Sequence, residues 1–269
     1  MRLREARVVL TGASGGIGLA IATALCASGA CVLAVARHRE PLLPLLERYP
    51  HTLSWVGADL TLIADRHKVL AAAEAVGGIN LLINAAGINH FAMLEQLEDS
   101  DIQAMLAVNV GAPICLTKLF LPLLKQAESA MVVNVGSTYG SIGYPGYASY
   151  CATKFALRGF CEALRRELAD TRVGVLYVAP RATRTSMNSP AAQALNDALK
   201  ASVDDPQTVA SAVIHAIAGD RRDLYLGWPE RFFVRLNSLL PNLVDRGLRK
   251  QLPLIRRLSQ KPDSEDLKP

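Results

Sequence analysis

Cysteine is scarce and carries no pattern. The five present, Cys26, Cys31, Cys115, Cys151 and Cys161, are odd in number and form no C-x-x-C pair. That excludes a disulfide framework and a zinc ribbon, and reduced thiols with no metal site are the expectation. No window of about 20 apolar residues stands out, so no transmembrane helix is expected. The opening residues, MRLREARVVLTG, pass from a short basic stretch straight into an apolar strand pattern. With no apolar leader core or cleavage site, no signal peptide and a cytoplasmic protein are expected. Internal repeats are missing too. A general excess of positive charge is also lacking, although the formal net charge is +5. Seven Arg and Lys against one acid between Arg231 and Leu258 give that segment +6, and the rest of the chain −1. The basic balance therefore belongs to the C-terminal segment and does not point to a nucleic-acid partner.

What is present is a core. Of 269 residues, 51% are apolar and 20% charged, the balance of a globular protein. Short apolar runs recur at 7–12, 30–36, 53–60, 79–87, 130–137, 172–180 and 223–227, with helical patterns between most of them. Uninterrupted apolar strands alternating with helices predict a parallel sheet covered on both faces. The domain runs from 1 to 229, and a basic, amphipathic extension occupies 230–269.

Two local patterns carry chemistry. TGASGGIG, residues 11–18, follows the first strand and opens the first helix. Gly12, Gly16 and Gly18 let the backbone turn tightly, and the helix N-terminus offers N–H groups to a pyrophosphate. Ile17 completes the loop, and Ser14 is a second candidate donor to a ribose 2′-phosphate. The second strand ends in AVARHRE. Ala36 stands where an acid would accept a ribose 2′-hydroxyl, and Arg37 and Arg39 follow, which suits a 2′-phosphate. NADP(H) is thus preferred to NAD(H). The second pattern is GYPGYASYCATK, residues 143–154, with three tyrosines and one lysine. On a helix only Tyr150 stands one turn before Lys154. Tyr144 and Tyr147 are left to line the cleft or to pack. His90 and Phe91 could border it.

In this order and spacing the motifs resemble those of the short-chain dehydrogenase/reductase family over roughly residues 7–227. TGASGGIG resembles its glycine loop and NAAG, residues 84–87, the motif after its fourth strand. YCATK resembles its Tyr-Lys box, with Ser137 thirteen residues earlier and Asn109 in LAVNVGAP. The resemblance implies a single-domain Rossmann-type doubly wound α/β sheet of about seven strands. It implies Asn109, Ser137, Tyr150 and Lys154 as the catalytic set. Tyr150 would exchange the proton, Lys154 would lower its pKa and bond the nicotinamide ribose, and Ser137 would hold the carbonyl. Asn109 would support a helix irregularity and a water leading to Lys154. Cofactor contacts implied by position are Asp59 and Leu60, Asn84, Ala85 and Gly87, and Val108, then Pro180, Thr183 and Thr185 in PRATRT.

Two departures stand out. Arg181 occupies a place where glycine is usual, read as surface packing ahead of a cation for an acidic group. Gly136 replaces a serine, which would leave more room. Residues 185–207 fall where the family has its substrate lid. In the tail, Phe232, Phe233, Leu236, Leu239, Leu240, Leu243 and Val244 recur at helical spacing, and Pro241 and Pro253 are expected to break it into short helices. Two readings stay open there: a helix over the cleft or a subunit partner, and an amphipathic segment on an anionic membrane. The expected activity is NADP(H)-dependent interconversion of a hydrophobic or lipid-like carbonyl with a secondary alcohol, in a homodimer or homotetramer. A 3-oxoacyl thioester reductase and a noncatalytic dinucleotide-binding sensor or scaffold are the alternatives.

Overall fold

The computed structural model describes residues 1–260; the last nine residues of the extension lie outside them. Seven strands form one parallel sheet in the order β3-β2-β1-β4-β5-β6-β7. They are β1 (Arg7–Thr11), β2 (Cys31–Ala36), β3 (Leu53–Gly57), β4 (Leu81–Asn84), β5 (Ala130–Val135), β6 (Val173–Ala179) and β7 (Asp223–Tyr225). Every strand falls inside an apolar run read from the sequence. β3 and β4 stop three residues short of their runs, because Ala58–Leu60 and Ala85–Gly87 leave the sheet to line a cleft.

Helices cover both faces. They are α1 (Gly16–Ala27), α2 (Leu43–Arg48), α3 (Ile63–Ala75), α4 (Asp99–Leu106), α5 (Ala112–Gln126), α6 (Ala148–Glu167), α7 (Pro190–Ala198), α8 (Pro206–Ala218), α9 (Trp228–Leu239) and α10 (Pro241–Ser259). β1 shows why two layers arise. Successive side chains point to opposite faces. Val8 and Leu10 pack with Ile21 and Leu25 of α1 and Val213 and Ile217 of α8. Val9 packs on the other side with Val69 of α3, Phe120 and Leu124 of α5 and Leu164 of α6. Reversal of strand order between β1 and β4 opens a crevice at the carboxyl ends of the strands, where open α/β sheets take their ligands.

Two expectations need correction. The helical run from Asp99 to Gln126 holds an 18-residue window of mean hydropathy 1.7, long and apolar enough by composition to cross a bilayer. Here it is a core helix, with Met105, Leu116, Phe120 and Leu124 fully buried. Pro253 does not break the tail: it sits inside α10. The bond it forgoes would reach the carbonyl of Arg249, on an exposed part of the helix where water can serve. Pro241 does start a new helix after α9.

Candidate active site

The crevice is one open cleft of about 1390 Å³. Its first half is built on β1. Thr11 Oγ1 accepts from the N–H groups of Ala85 and Ala86, both at 3.1 Å, and so ties the loop after β4 to the glycine loop. Gly12 has φ 65°, and a Cβ there would lie 2.7 Å from the backbone of Ala86. At Gly18 a Cβ would overlap the carbonyl oxygen of Gly12. Gly15 starts α1 without a side-chain cap. Ser14, Gly16, Ile17 and Gly18 line the cleft beside these uncapped N–H groups. That is a backbone cradle for an anion, and it fits the pyrophosphate of a dinucleotide.

Ala36 and Arg37 line the next stretch, at the end of β2, with Asp59 and Leu60 from the end of β3 and Val108 from the far wall. Asp59 accepts from the Thr61 hydroxyl at 2.7 Å and its N–H at 2.9 Å. Those bonds, aided by the charge of Arg37, hold its carboxyl below the usual range. Two of the predicted contacts are elsewhere. Arg39 does not line the cleft; its guanidinium lies 5.8 Å over the ring of Trp55. Asn84 is 3% exposed and donates to Asn134 Oδ1 at 2.9 Å and Thr117 Oγ1 at 3.3 Å. It braces β4 against β5 and α5, beneath the cleft floor formed by Ala85 and Gly87.

The second half rests on β5 and α6. In α6 the residues Tyr150, Thr153, Lys154, Leu157, Cys161 and Leu164 share the buried face, at spacings of three and four. Tyr150 and Lys154 therefore meet the end of β5 together. Lys154 Nζ donates to the Val135 carbonyl at 3.0 Å and lies 5.5 Å from the centre of the Tyr150 ring. Ser137 follows β5 directly. Its hydroxyl oxygen accepts from the Tyr139 N–H at 3.1 Å. Asn109 sits 1% exposed in a π-helical turn, Ala107–Gly111. It accepts from the Ile88 N–H at 2.9 Å, donates to the Ile88 carbonyl at 2.8 Å and to Thr153 at 3.1 Å. It thus joins the loop after Gly87 to the helix of Tyr150, without itself lining the cleft.

Burial controls the proton chemistry. It pushes the Tyr150 phenol well above the ordinary tyrosine value, and the Ser137 hydroxyl only partly opposes this. Burial also lowers Lys154 to about 8. Desolvation favours the neutral form of both groups and works against the acidifying effect expected of Lys154 on Tyr150.

The cleft continues into an aromatic wall. Tyr139 stacks on Tyr144 at 5.1 Å, and Tyr147 lies against Tyr150 at 6.2 Å and Phe91 at 5.0 Å. His90 borders the cleft, 3.7 Å from Asp101. Pro180, Thr183 and Thr185 line the opposite side, and a Cβ at Gly16 would come within 2.6 Å of Thr185. Arg181 is not a free cation. Its guanidinium bonds both oxygens of Asp204, at 3.0 and 2.7 Å, and stands 3.5 Å from Glu230. It pins the end of the lid segment to the first turn of α9.

Sequence reasoning missed residues that arrive from far along the chain. Glu230, Phe233 and Gln251 of the extension line the cleft, and Gln251 accepts from the Tyr144 hydroxyl at 2.7 Å. Their signal was an amphipathic pattern with two readings, and the inner face takes the first of them. Tyr177 was missed as well. It is 1% exposed on β6, and its hydroxyl donates to the Ser137 carbonyl at 3.0 Å and accepts from the Ser137 N–H at 3.3 Å. A Cβ at Gly136 would overlap its ring. The space expected at Gly136 is filled by that ring, and a lone aromatic in the aliphatic run VGVLYVA was its only trace.

Comparison with known proteins places this geometry. The sequence profile described as short chain dehydrogenase matches residues 6–196. Uncharacterized oxidoreductase YxnA of Bacillus subtilis (strain 168) is 29% identical over 259 residues, covering 93% of this chain and 73% of that protein. The 3-oxoacyl-[acyl-carrier-protein] reductase FabG of Vibrio cholerae is 30% identical over 223 residues, 79% of this chain and 90% of that protein. A short chain dehydrogenase from Burkholderia cenocepacia J2315, solved in complex with NADP, superposes with a TM-score of 0.79 at 26% identity, covering 92% of this chain and 99% of that one.

Proposed function

Because the chain belongs to the short-chain dehydrogenase family, we propose that it reduces an apolar ketone or aldehyde to the alcohol with NADPH. The single observation that carries this reading is geometric: Tyr150, Lys154 and Ser137 converge on one cleft at the carboxyl end of β5. In this reading a dinucleotide lies along the cleft. Gly12, Gly16 and Ile17 hold its pyrophosphate, Asp59, Leu60 and Val108 border the adenine, and Pro180 and Thr183 meet the nicotinamide end. Arg37 and Ser14 receive the 2′-phosphate. The cofactor supplies the hydride to the carbonyl carbon. Ser137 donates a hydrogen bond to the carbonyl oxygen and fixes its position, and Tyr150 gives that oxygen its proton. Lys154, held near 8 by burial, can return a proton to the phenolate at neutral pH. Asn109 keeps the loop after Gly87 and the α6 helix in register. Tyr139, Tyr144, Tyr147 and Phe233 favour an apolar substrate.

A fatty-acid type 3-oxoacyl thioester is a second reading, supported by the likeness to the Vibrio cholerae reductase. Family membership also carries the proposal of a homodimer or homotetramer, which sedimentation velocity tests. For the reaction, turnover is measured over a panel of ketones and acyl thioesters with each nicotinamide cofactor. Tyr150→Phe is expected to abolish turnover while NADPH binding persists. Arg37→Ala is expected to weaken NADPH by about tenfold or more and leave NADH nearly unchanged, the size of one charge-assisted contact. Equal weakening of both cofactors rejects the NADP assignment. A wild type that binds NADPH and turns over nothing leaves a dinucleotide sensor.

A further inference from the structure

Among the described residues fourteen large apolar side chains are exposed, and six of them lie in α9, α10 and their junction. Single exposed apolar residues are ordinary; a contiguous group is not. On α9, Trp228, Phe232, Arg235 and Leu239 stand at i, i+4, i+7 and i+11, one outer stripe. Trp228 is 77% exposed and Leu239 79%. The rings of Trp228 and Phe232 stack at 6.3 Å. Leu240 and Leu243 extend the group around the turn into α10, where Arg246, Lys250 and Arg257 continue the stripe.

The charge on this face is as one-sided as its apolar content is unusual. All seven basic residues from Arg231 to Arg257 are exposed. Glu230, an acid on α9, is turned inward to Arg181 and does not offset them. Asp245 alone does. The inner face is already committed: Val234 and Ile255 are buried, Asn237 donates to the Ser141 carbonyl at 3.0 Å, and Gln251 holds Tyr144. The helical hairpin is therefore a platform whose outer face is cationic, aromatic-tipped and, among the described residues, unpartnered.

We propose that this face docks on an anionic lipid surface. Basic groups supply attraction to acidic headgroups, and Trp, Phe and Leu enter the headgroup boundary, the division of labour of an interfacial amphipathic helix. A second copy of the chain is a poor occupant, because two such faces would set like charges against each other. The cleft adds a consequence. Phe233 lines it and is also 49% exposed, so the cleft opens at the edge of the docking face. A carbonyl compound dissolved in the bilayer would enter there; this delivery route rests on the reductase reading, whereas docking does not.

The test uses the full chain with vesicles of phosphatidylcholine alone or with phosphatidylserine. Co-sedimentation is expected only with the mixed vesicles, falling as salt rises, with a blue shift of Trp228 emission. Leu240→Glu/Leu243→Glu is expected to cut partitioning at least tenfold and to leave reduction of a water-soluble ketone unchanged. Arg246→Glu and Lys250→Glu should each weaken it by roughly fivefold or more. Binding that is absent, or equal on both vesicle types, overturns the proposal. So does conversion of a dimer to a monomer by the leucine variant without lipid, which marks the face as a self-interface. Slowed reduction of a vesicle-dissolved ketone by that variant supports delivery, and an unchanged rate refutes it. Vesicle binding by a protein that reduces no ketone leaves docking intact and removes the reductase reading.

Discussion

Tyr177→Phe removes one oxygen atom from the protein and, on the present reasoning, most of its turnover. The ring stays, so its packing against Gly136 is kept. What is lost is the hydroxyl that serves both backbone groups of Ser137, at 3.0 Å to the carbonyl and 3.3 Å from the N–H. A buried polar group left without its partner costs about 1–3 kcal/mol. The longer of the two bonds is the weaker, and Ser137 borders the open cleft, where water can replace part of the loss. Stability should therefore fall by about 1–3 kcal/mol in total, read from urea unfolding. Activity should fall further in proportion. The Ser137 hydroxyl has to meet the carbonyl oxygen within hydrogen-bond distance, and a displacement of about 1 Å costs on the order of a hundredfold. We expect kcat to drop by about 10- to 100-fold, with KM and NADPH affinity nearly unchanged. The decisive arm is a double-mutant cycle with Ser137→Ala. If Tyr177 acts by positioning Ser137, its removal should cost little more kcat once that hydroxyl is gone. Additive losses, or kcat within twofold of wild type in the single variant, would refute the positioning role.

Two further predictions concern charge. Lysine in an unfolded chain titrates near about 10.4, and folded Lys154 is lowered to about 8 by burial. Between these values the unfolded state holds a proton that the folded state has lost, so stability rises with pH across that window and the burial penalty is full below it. The stability of the wild type relative to Lys154→Met should rise from pH 8 towards 10 and stay flat below 8; a side-chain NMR titration placing Nζ above 10 contradicts it. Arg181→Ala leaves two carboxylates, Asp204 and Glu230, facing the vacated site, with side chains only 12% and 26% exposed. We expect a loss of about 2 kcal/mol, below the cost of breaking a fully buried pair, and faster proteolysis between residues 185 and 204. Arg181→Lys should restore little, since an ammonium cannot make the paired contact to Asp204. Unchanged unfolding and proteolysis in Arg181→Ala would show that the latch carries no load.

Local patterns were legible in the sequence wherever the physics was local. Seven apolar runs became seven strands, because a strand covered on both faces needs apolar residues without interruption. The glycine loop declared itself because turning a strand into a helix beside a second backbone excludes Cβ atoms at Gly12 and Gly18. Tyr150 and Lys154 were paired by helical spacing alone. Arg39 and Asn84 show the limit of such reading. Each lies one or two residues from a true cleft position, and the direction of its side chain depends on Trp55 in one case and on Asn134 and Thr117 in the other.

The order of elements, the glycine loop and the Tyr-Lys face were determined by the sequence itself, through periodicity and backbone sterics that act within a few residues. The tertiary structure alone decided which groups are dry. It raised Tyr150, gave Arg181 two carboxylate partners, put Tyr177 beneath Ser137 and brought Gln251 to Tyr144 across more than a hundred residues. Desolvation and hydrogen bonding depend on what covers a group, and in this protein the covering residues come from strands and helices remote in the chain.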